Sequence, residues 1–98
     1  MRTVELTPKA QEDLESIWLY SFERYGEAKA DYYITRFSDI FSVLSAHNVG
    51  TLRPELGDGI CSLPVEQHVI FFHYAQTSIT VIRILSHAQD ATRHLSWY

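Results

Sequence analysis

Two long stretches in the first half of the chain repeat apolar or small residues every three or four positions, the period of an amphipathic helix. The first helix is predicted to begin at Thr7-Pro8, because threonine can accept free N–H groups of the first turn and proline lacks a donor there. Gly26 is its expected end. Its inward face is predicted to carry Ala10, Leu14, Ile17, Trp18 and Ser21. Acidic residues lie early, where the helix dipole favours them: Glu12, Asp13 and Glu15.

The second helix is predicted to run from residue 27 to about residue 47. Its apolar face consists of Ala30, Ile34, Phe37, Phe41 and Leu44. Only a residue or two separates the two helices, so we expect an antiparallel hairpin that closes its apolar faces on each other and on a sheet.

The other apolar runs have the alternation, or the β-branched and aromatic composition, that is typical of strands. Strands are predicted at residues 3–6, 60–65, 69–74 and 79–85. A short polar turn at residues 76–78 makes the last two strands antiparallel neighbours. Residues 51–59 contain Pro54, Gly57 and Gly59, which predict turns but no regular element.

The resulting order is β-α-α-β-β-β, with a short C-terminal helix at residues 90–95 for which Asp90 is a suitable cap. This order indicates an α+β fold in which the N-terminal helical hairpin packs on one face of an antiparallel β-sheet. With 98 residues, the chain has room for one core, so we expect a single domain spanning residues 1–98.

Charge and cysteine usage narrow the class of protein further. The net charge is −4 and the eight Lys and Arg residues are dispersed along the chain. This argues against a protein whose main role is nucleic-acid binding, and against direct sequence-specific binding of DNA or RNA. The N-terminus lacks the apolar run of a signal peptide, and Cys61 is the single cysteine. We therefore expect a cytoplasmic protein. No stretch approaches the ~18 apolar residues of a membrane span, so no membrane partner is expected.

Arg83 is the first candidate for chemistry, because an arginine between Ile82 and Ile84 must reach the sheet rim or find a carboxylate. Either it forms a structural ion pair or it faces an open concave surface near the C-terminus. His73 lies among aromatic residues, where a hydrogen-bonded core histidine is more common than a catalyst.

The C-terminal region carries His87, Asp90, Arg93 and His94 at spacings that make only a weak metal-ligand pattern. A solvated polar helix is the favoured interpretation, and we expect no metal and no cofactor. Cys61 has no basic partner nearby in sequence, so a buried or half-buried thiol is expected. No catalytic residue is predicted.

Three segments carry a resemblance to a known family. They are Arg53-Pro54-Glu55-Leu56, Ser62-Leu63-Pro64-Val65, and Arg83-Ile84-Leu85 followed by Gln89-Asp90 and Arg93-His94-Leu95. Together with the two upstream helices, they resemble the ParE branch of the RelE/ParE superfamily, bacterial toxins encoded beside an antitoxin. The resemblance implies a type II toxin that inhibits bacterial growth through DNA gyrase. It also implies a cognate antitoxin, with a higher-order toxin–antitoxin complex as one form of the assembly.

Two alternatives differ in function. A RelE-like toxin cleaves messenger RNA on the ribosome, and the groups available for this are His73, Arg83, His87, Arg93 and His94. The second alternative is a non-toxic module that binds only an antitoxin. RelE-like chemistry needs positive charge, whereas residues 86–90 contain no Lys or Arg and the long loop supplies only Arg53. The ParE interpretation, without enzymatic activity, is therefore favoured.

The target-binding surface is predicted at the C-terminal end, where cationic and aromatic side chains gather. Its members are Arg83, Arg93, His94, Trp97 and Tyr98. These residue types are over-represented where few side chains carry most of the binding energy. The alternative for Trp97 and Tyr98 is that they fold back and cover the sheet.

Overall fold

A computed structural model describes residues 1–87 and 89–95. In chain order the elements are β1 (Thr3–Leu6), α1 (Pro8–Tyr25), α2 (Glu27–Ala46), β2 (Thr51–Leu52), a 3-10 turn (Pro54–Leu56), β3 (Ile60–Val65), β4 (His68–Tyr74), β5 (Ser78–Ser86) and α3 (Ala91–His94). Each helix and strand that the hydrophobic pattern predicts is present, with bounds that differ by no more than one residue, so the local signals were sufficient for these elements.

The sheet has five strands in the order β1-β5-β4-β3-β2. The neighbours from β2 to β5 are antiparallel, but β1 pairs in parallel with β5, with Thr3 opposite Ser78. The predicted α+β class is confirmed, while the sheet is mixed and not wholly antiparallel. Alternation identifies a strand but not its partner, and the helical hairpin returns the chain to the far edge of the sheet.

The connection after α2 is more regular than the sequence predicts. Residues 51 and 52 form β2, which pairs with β3, and the 3-10 turn follows. Gly50 makes this path possible because its φ is +99° and a Cβ atom there would lie 2.7 Å from the Phe72 ring. The prediction of turns alone for residues 51–59 was therefore wrong, since a two-residue strand is too short to show alternation.

Thr7 begins α1 as predicted and also connects this helix to the sheet. Its Oγ1 accepts the N–H of Ala10 at 3.0 Å, and its hydroxyl donates to the carbonyl of Ile82 at 2.7 Å. Gly26 separates the two helices with φ +93°, a conformation that favours glycine. The hairpin therefore has defined ends.

Both faces of the sheet are covered by apolar side chains. On the hairpin side the core includes Ala10, Ile17, Phe37, Leu44, Ile70, Phe72, Ile79, Val81 and Ile84. On the other side it consists of Ile60, Phe71, Ile82, Leu85 and Leu95. Leu95, directly after α3, is 5% exposed and packs in this second core together with Ala91, so α3 and Leu95 cover part of the face that the hairpin leaves open.

A β-bulge lies where β5 passes between these two cores. Phe71 of β4 is opposite Arg83, whereas the next residue, Phe72, is opposite Val81. Ile82 is therefore the extra residue, and it packs in the second core. Such a bulge changes the direction of neighbouring side chains, and Arg83 follows it directly.

Within the described residues, no helix is long and apolar enough to cross a membrane.

Candidate functional site at the end of the sheet

Arg83 forms an ion pair with Asp13 of α1. Its Nε lies 2.8 Å from Asp13 Oδ2 and its Nη2 lies 2.9 Å from Oδ1, a two-pronged contact between planar groups. The side chains are only 12% and 14% exposed. The hydrogen bond from Arg83 to Asp13 and the carboxylate charges of Asp13 and Glu12 raise the pKa of Arg83 against the opposing effect of burial. Of the two alternatives for Arg83, the structure shows the ion pair.

Asp13 also protects an edge of the sheet. β1 ends opposite Val81, so β5 continues without a neighbouring strand on that side. There the N–H of Ile84 donates to Asp13 Oδ2 at 2.9 Å, and the N–H of Ser86 donates to Gln89 Oε1 at 2.8 Å. Side chains thus satisfy backbone donors that a strand edge would otherwise expose.

The same arginine reaches the C-terminal helix. Arg83 Nη1 is 3.5 Å from the backbone carbonyl of His94, the last residue of α3. At the other end of α3, the Asp90 carboxylate accepts the N–H of Thr92 at 3.1 Å, which confirms Asp90 as the cap. Arg83 is therefore located at a junction of α1, β5 and α3, which we call the Arg83 junction and define by Asp13, Arg83, Ile84 and His94.

The structure places part of the predicted target-binding set together. Arg93 is exposed and His94 is half-buried, both on α3, and the His94 carbonyl lies next to Arg83. Trp97 and Tyr98 lie outside the described residues. Sequence reasoning missed Asp13 as the partner of Arg83, because the two are 70 residues apart and no local pattern connects them.

A cleft of about 290 Å³ opens on the second face of the sheet. It is lined by Arg53, Phe71, His87 and Asp90, among others. Arg53 Nε is 2.6 Å from Glu55 Oε2, its Nη1 donates to Ser62 Oγ at 3.3 Å, and its guanidinium lies over the Phe71 ring. The hydrogen bond from Arg53 lowers the pKa of Glu55. The cleft therefore contains an arginine that is already paired.

His73 and His87, two of the candidate histidines, lie in separate environments. His73 packs tightly against Gly59, where a Cβ atom would lie 2.7 Å from its Nε2. His87 Nε2 is 3.3 Å from the carbonyl of Glu66. In residues 1–87 and 89–95, no three His, Cys, Asp or Glu side chains are arranged to hold a metal ion. Cys61 is buried in the core, as expected, and burial raises the pKa of its thiol.

A hydrogen-bonded pair of Tyr33 and His68 joins α2 to β4, and sequence reasoning missed it. The Tyr33 hydroxyl is 2.7 Å from His68 Nδ1 and accepts the N–H of Gln67 at 3.1 Å. Burial and the nearby His87 lower the pKa of His68, whereas Asp13 acts in the opposite direction. Burial also raises the pKa of Tyr33. The pair fixes the turn between β3 and β4 against the hairpin.

The hairpin exposes large apolar side chains on its other surfaces. Eight such side chains are exposed among the described residues, and five of them lie near the closed end of the hairpin. We use the name hairpin patch for these five exposed side chains, which lie on more than one side of α1 and α2 near the turn at Gly26: Leu19, Tyr20, Phe22, Tyr25 and Tyr32. Arg24 lies over the Tyr20 ring and Lys29 over the Tyr25 ring. The hydrophobic pattern of the sequence does not predict an exposed aromatic surface at this end of the hairpin.

Known proteins resemble this chain over nearly its whole length. A sequence profile described as "ParE toxin of type II toxin-antitoxin system, parDE" matches residues 4–91. Toxin ParE1 from Mycobacterium tuberculosis is 28% identical over 92 residues, which cover 92% of this chain and 94% of the relative. Toxin ParE1 from Caulobacter vibrioides is 27% identical over 96 residues, covering 97% and 99%. Among solved structures, the chromosomal ParDE TA system from P. aeruginosa has a TM-score of 0.74 and 25% identity, covering 88% of this chain and 96% of that chain.

The α+β fold, with a helical hairpin on one face of a five-stranded sheet, matches a solved toxin–antitoxin system of the ParDE class. Within that class the chain belongs to the ParE toxin family, because the family profile covers residues 4–91. The resemblance seen in the segments around Arg53, Ser62 and Arg83 is thereby confirmed.

Proposed function

We propose that this ParE-family chain inhibits bacterial growth by binding DNA gyrase in the cytoplasm, and that a cognate antitoxin neutralises it. The observation that carries this proposal is the match to the ParE toxin family over residues 4–91. Inhibition is then a matter of protein–protein contact, and the toxin needs no bond-breaking chemistry of its own.

The charges in the structure support binding over ribonuclease chemistry. A ribosome-dependent nuclease needs unpaired positive charge near the RNA phosphates. Here Arg53 is paired with Glu55, and Arg83 is paired with Asp13. The net charge of −4 adds no general attraction for RNA. We therefore propose that the toxin is not an enzyme.

The proposed target-binding surface remains the C-terminal end. It combines Arg93 and His94 on α3 with Trp97 and Tyr98 of the following residues, and Arg83 lies next to the His94 carbonyl. Arginine and aromatic side chains are the types that most often dominate binding energy at interfaces. Because α3 covers the second face of the sheet through Leu95, this surface is presented by a fixed element.

The proposed antitoxin surface is the hairpin patch. Tyr25 is 61% exposed and Tyr32 is 65% exposed, values that leave most of each ring available to a partner. An amphipathic segment that is disordered alone could fold onto such a surface. The similar solved structure is itself a ParDE toxin–antitoxin system, which supports an antitoxin as partner. A stable interface of this kind buries on the order of 1,600 Å² in total.

Purified gyrase provides the test. Supercoiling of relaxed plasmid should fall as the toxin is added, and the co-expressed antitoxin should restore it. Primer extension on messages from cells expressing the toxin should show intact transcripts. Unimpaired supercoiling together with codon-phased cleavage would favour the RelE-like nuclease. Unimpaired supercoiling, intact messages and normal growth would favour the non-toxic antitoxin-binding module.

A further inference from the structure

We infer that Arg83 and Asp13 are positioning residues, whose ion pair fixes α3 so that Arg93 and His94 meet the target. Arg83 then supports the target-binding surface from below and does not contact the target. This inference rests on the proposed function, because it concerns the surface through which the toxin is proposed to bind gyrase.

The hydrogen bonds of Arg83 leave little of it for a partner. Its Nε and Nη2 are bonded to the two carboxylate oxygens of Asp13, and its Nη1 faces the carbonyl of His94. At 12% exposure, the side chain offers only a small surface. A target that used Arg83 would have to break a largely buried ion pair and leave the Asp13 charge without compensation.

Asp13 holds the strand as well as the side chain. The carboxylate oxygen that receives Arg83 Nε also accepts the N–H of Ile84, the next residue of β5. The backbone and the guanidinium of adjacent residues are therefore both fixed to one point on α1. Since α1 is an 18-residue helix packed in the core, it is a rigid reference for this end of the sheet.

Helix α3 needs such external bonds because it is short. It has four residues, and a helix of that length is not stable on its own. Its carbonyl groups at the C-terminal end lack partners within the helix, and a cation placed there satisfies one of them and complements the helix dipole. Arg83 supplies that cation at the carbonyl of His94. Leu95 supplies the apolar anchor.

Two substitutions distinguish the effect of the charges of Arg83 and Asp13 from the effect of their hydrogen-bond geometry. Arg83→Lys keeps a cation near Asp13, so the fold should survive, but a lysine cannot form the two-pronged pair and reach the His94 carbonyl together. Asp13→Asn keeps an acceptor for Ile84 and loses the charge. Glu15→Gln, an exposed carboxylate on the same helix, is the matched control. The thermal midpoint and the antitoxin affinity of each variant show whether the fold is intact.

Amide hydrogen exchange and gyrase inhibition are then measured on the same full-length preparations. For Arg83→Lys, exchange at residues 92–95 should accelerate by about ten- to a hundredfold, since a hydrogen bond to a charged group is lost. The toxin concentration that half-inhibits gyrase should rise by about tenfold or more, because α3 no longer holds Arg93 and His94 in a fixed position. Antitoxin affinity should stay within about twofold of the wild type, since the hairpin patch is untouched.

Unchanged exchange at residues 92–95 in a folded Arg83→Lys protein would overturn the inference. Faster exchange with undiminished gyrase inhibition would overturn it too, because α3 would be loosened without consequence for the target. If Arg83→Lys unfolds, Asp13→Asn decides by the same two measurements. A wild-type protein that does not inhibit gyrase would instead refute the proposed function, a result seen before any variant is compared.

Discussion

The hairpin patch and the Arg83 junction use side chains in opposite ways. In the hairpin patch, Tyr25 and Tyr32 are 61% and 65% exposed, and their rings have most of their surface in contact with solvent. At the junction, Arg83 and Asp13 are 12% and 14% exposed, and their polar atoms are bonded to α1, β5 and α3. One region exposes large apolar side chains, and the other connects three elements through largely buried polar contacts.

Substitutions in the two regions should have different effects on binding and on stability. Substitutions in the hairpin patch should change what the protein binds with little effect on its stability, whereas substitutions at the junction should change stability and the C-terminal surface together. The two regions lie on different elements, since the patch is formed by α1 and α2 and the junction joins α1 to β5 and α3. Their effects should therefore be separable.

The largest effect is expected for Arg83→Ala. The substitution leaves the Asp13 carboxylate largely buried without its cation, and the free energy of unfolding should fall by about 3 kcal/mol. Lys9→Ala removes an exposed cation from α1 and should change stability by no more than about 0.5 kcal/mol. Urea unfolding of both variants checks the prediction. Equal losses for the two would mean that the Arg83 junction contributes nothing special.

A smaller effect, on binding alone, is expected from the hairpin patch. The Phe22→Ala and Tyr25→Ala pair should weaken antitoxin binding by about 2 kcal/mol, since truncated aromatic anchors commonly cost that much at interfaces. Isothermal titration calorimetry gives the affinity. The thermal midpoint should fall only slightly, because Tyr25 is 61% exposed and Phe22, which is 43% exposed, stacks on Trp18 at the helix surface. Wild-type affinity in a folded variant would exclude the patch from the antitoxin interface.

The smallest effect is a pH dependence of stability at His68, the first residue of β4, which is hydrogen-bonded to Tyr33 of α2. Its pKa is lowered in the folded state, so the unfolded chain takes up the proton first as the pH falls. The contribution of the neutral ring is full above the unfolded pKa, about 6.5, and declines as the pH drops below it. The groups that affect it are Tyr33 on α2, His87 after β5 and Asp13 on α1.

Urea unfolding at pH 7.5 and pH 5.5 measures this slope. His68→Gln should reduce the loss of stability at the lower pH relative to the wild type. An identical slope in the wild type and in His68→Gln would show that other groups cause the dependence.

Local signals predicted the elements of this fold well. The helical period around Ile17 and Phe37, the cap at Thr7 and the glycine at residue 26 all depend on neighbours within a few residues. Pairing does not. The parallel contact of Thr3 with Ser78 joins chain segments that no short pattern relates. Strand β2 has only two residues, so it leaves no alternation to detect.

The contacts of the candidate site are even less predictable from the sequence than the strand pairing. The sequence alone identifies Arg83 as an arginine that needs a partner, since it lies between two isoleucines. It predicts Asp13 only as one of three acidic residues near a helix start. The bulge at Ile82 and the end of β1 opposite Val81 bring the two together. Both features depend on strand register, which the pattern of single residues does not fix.

The most direct test of the account is gyrase supercoiling with a protein that lacks residues 96–98. Antitoxin affinity and the thermal midpoint, measured on the same preparation, should match those of the wild type because the hairpin patch and the buried residues from Ala10 to Leu95 are retained. Inhibition of supercoiling should be lost, because the deletion removes Trp97 and Tyr98 from the proposed target-binding surface. A truncated protein that is folded and inhibits gyrase as strongly as the wild type would contradict the account.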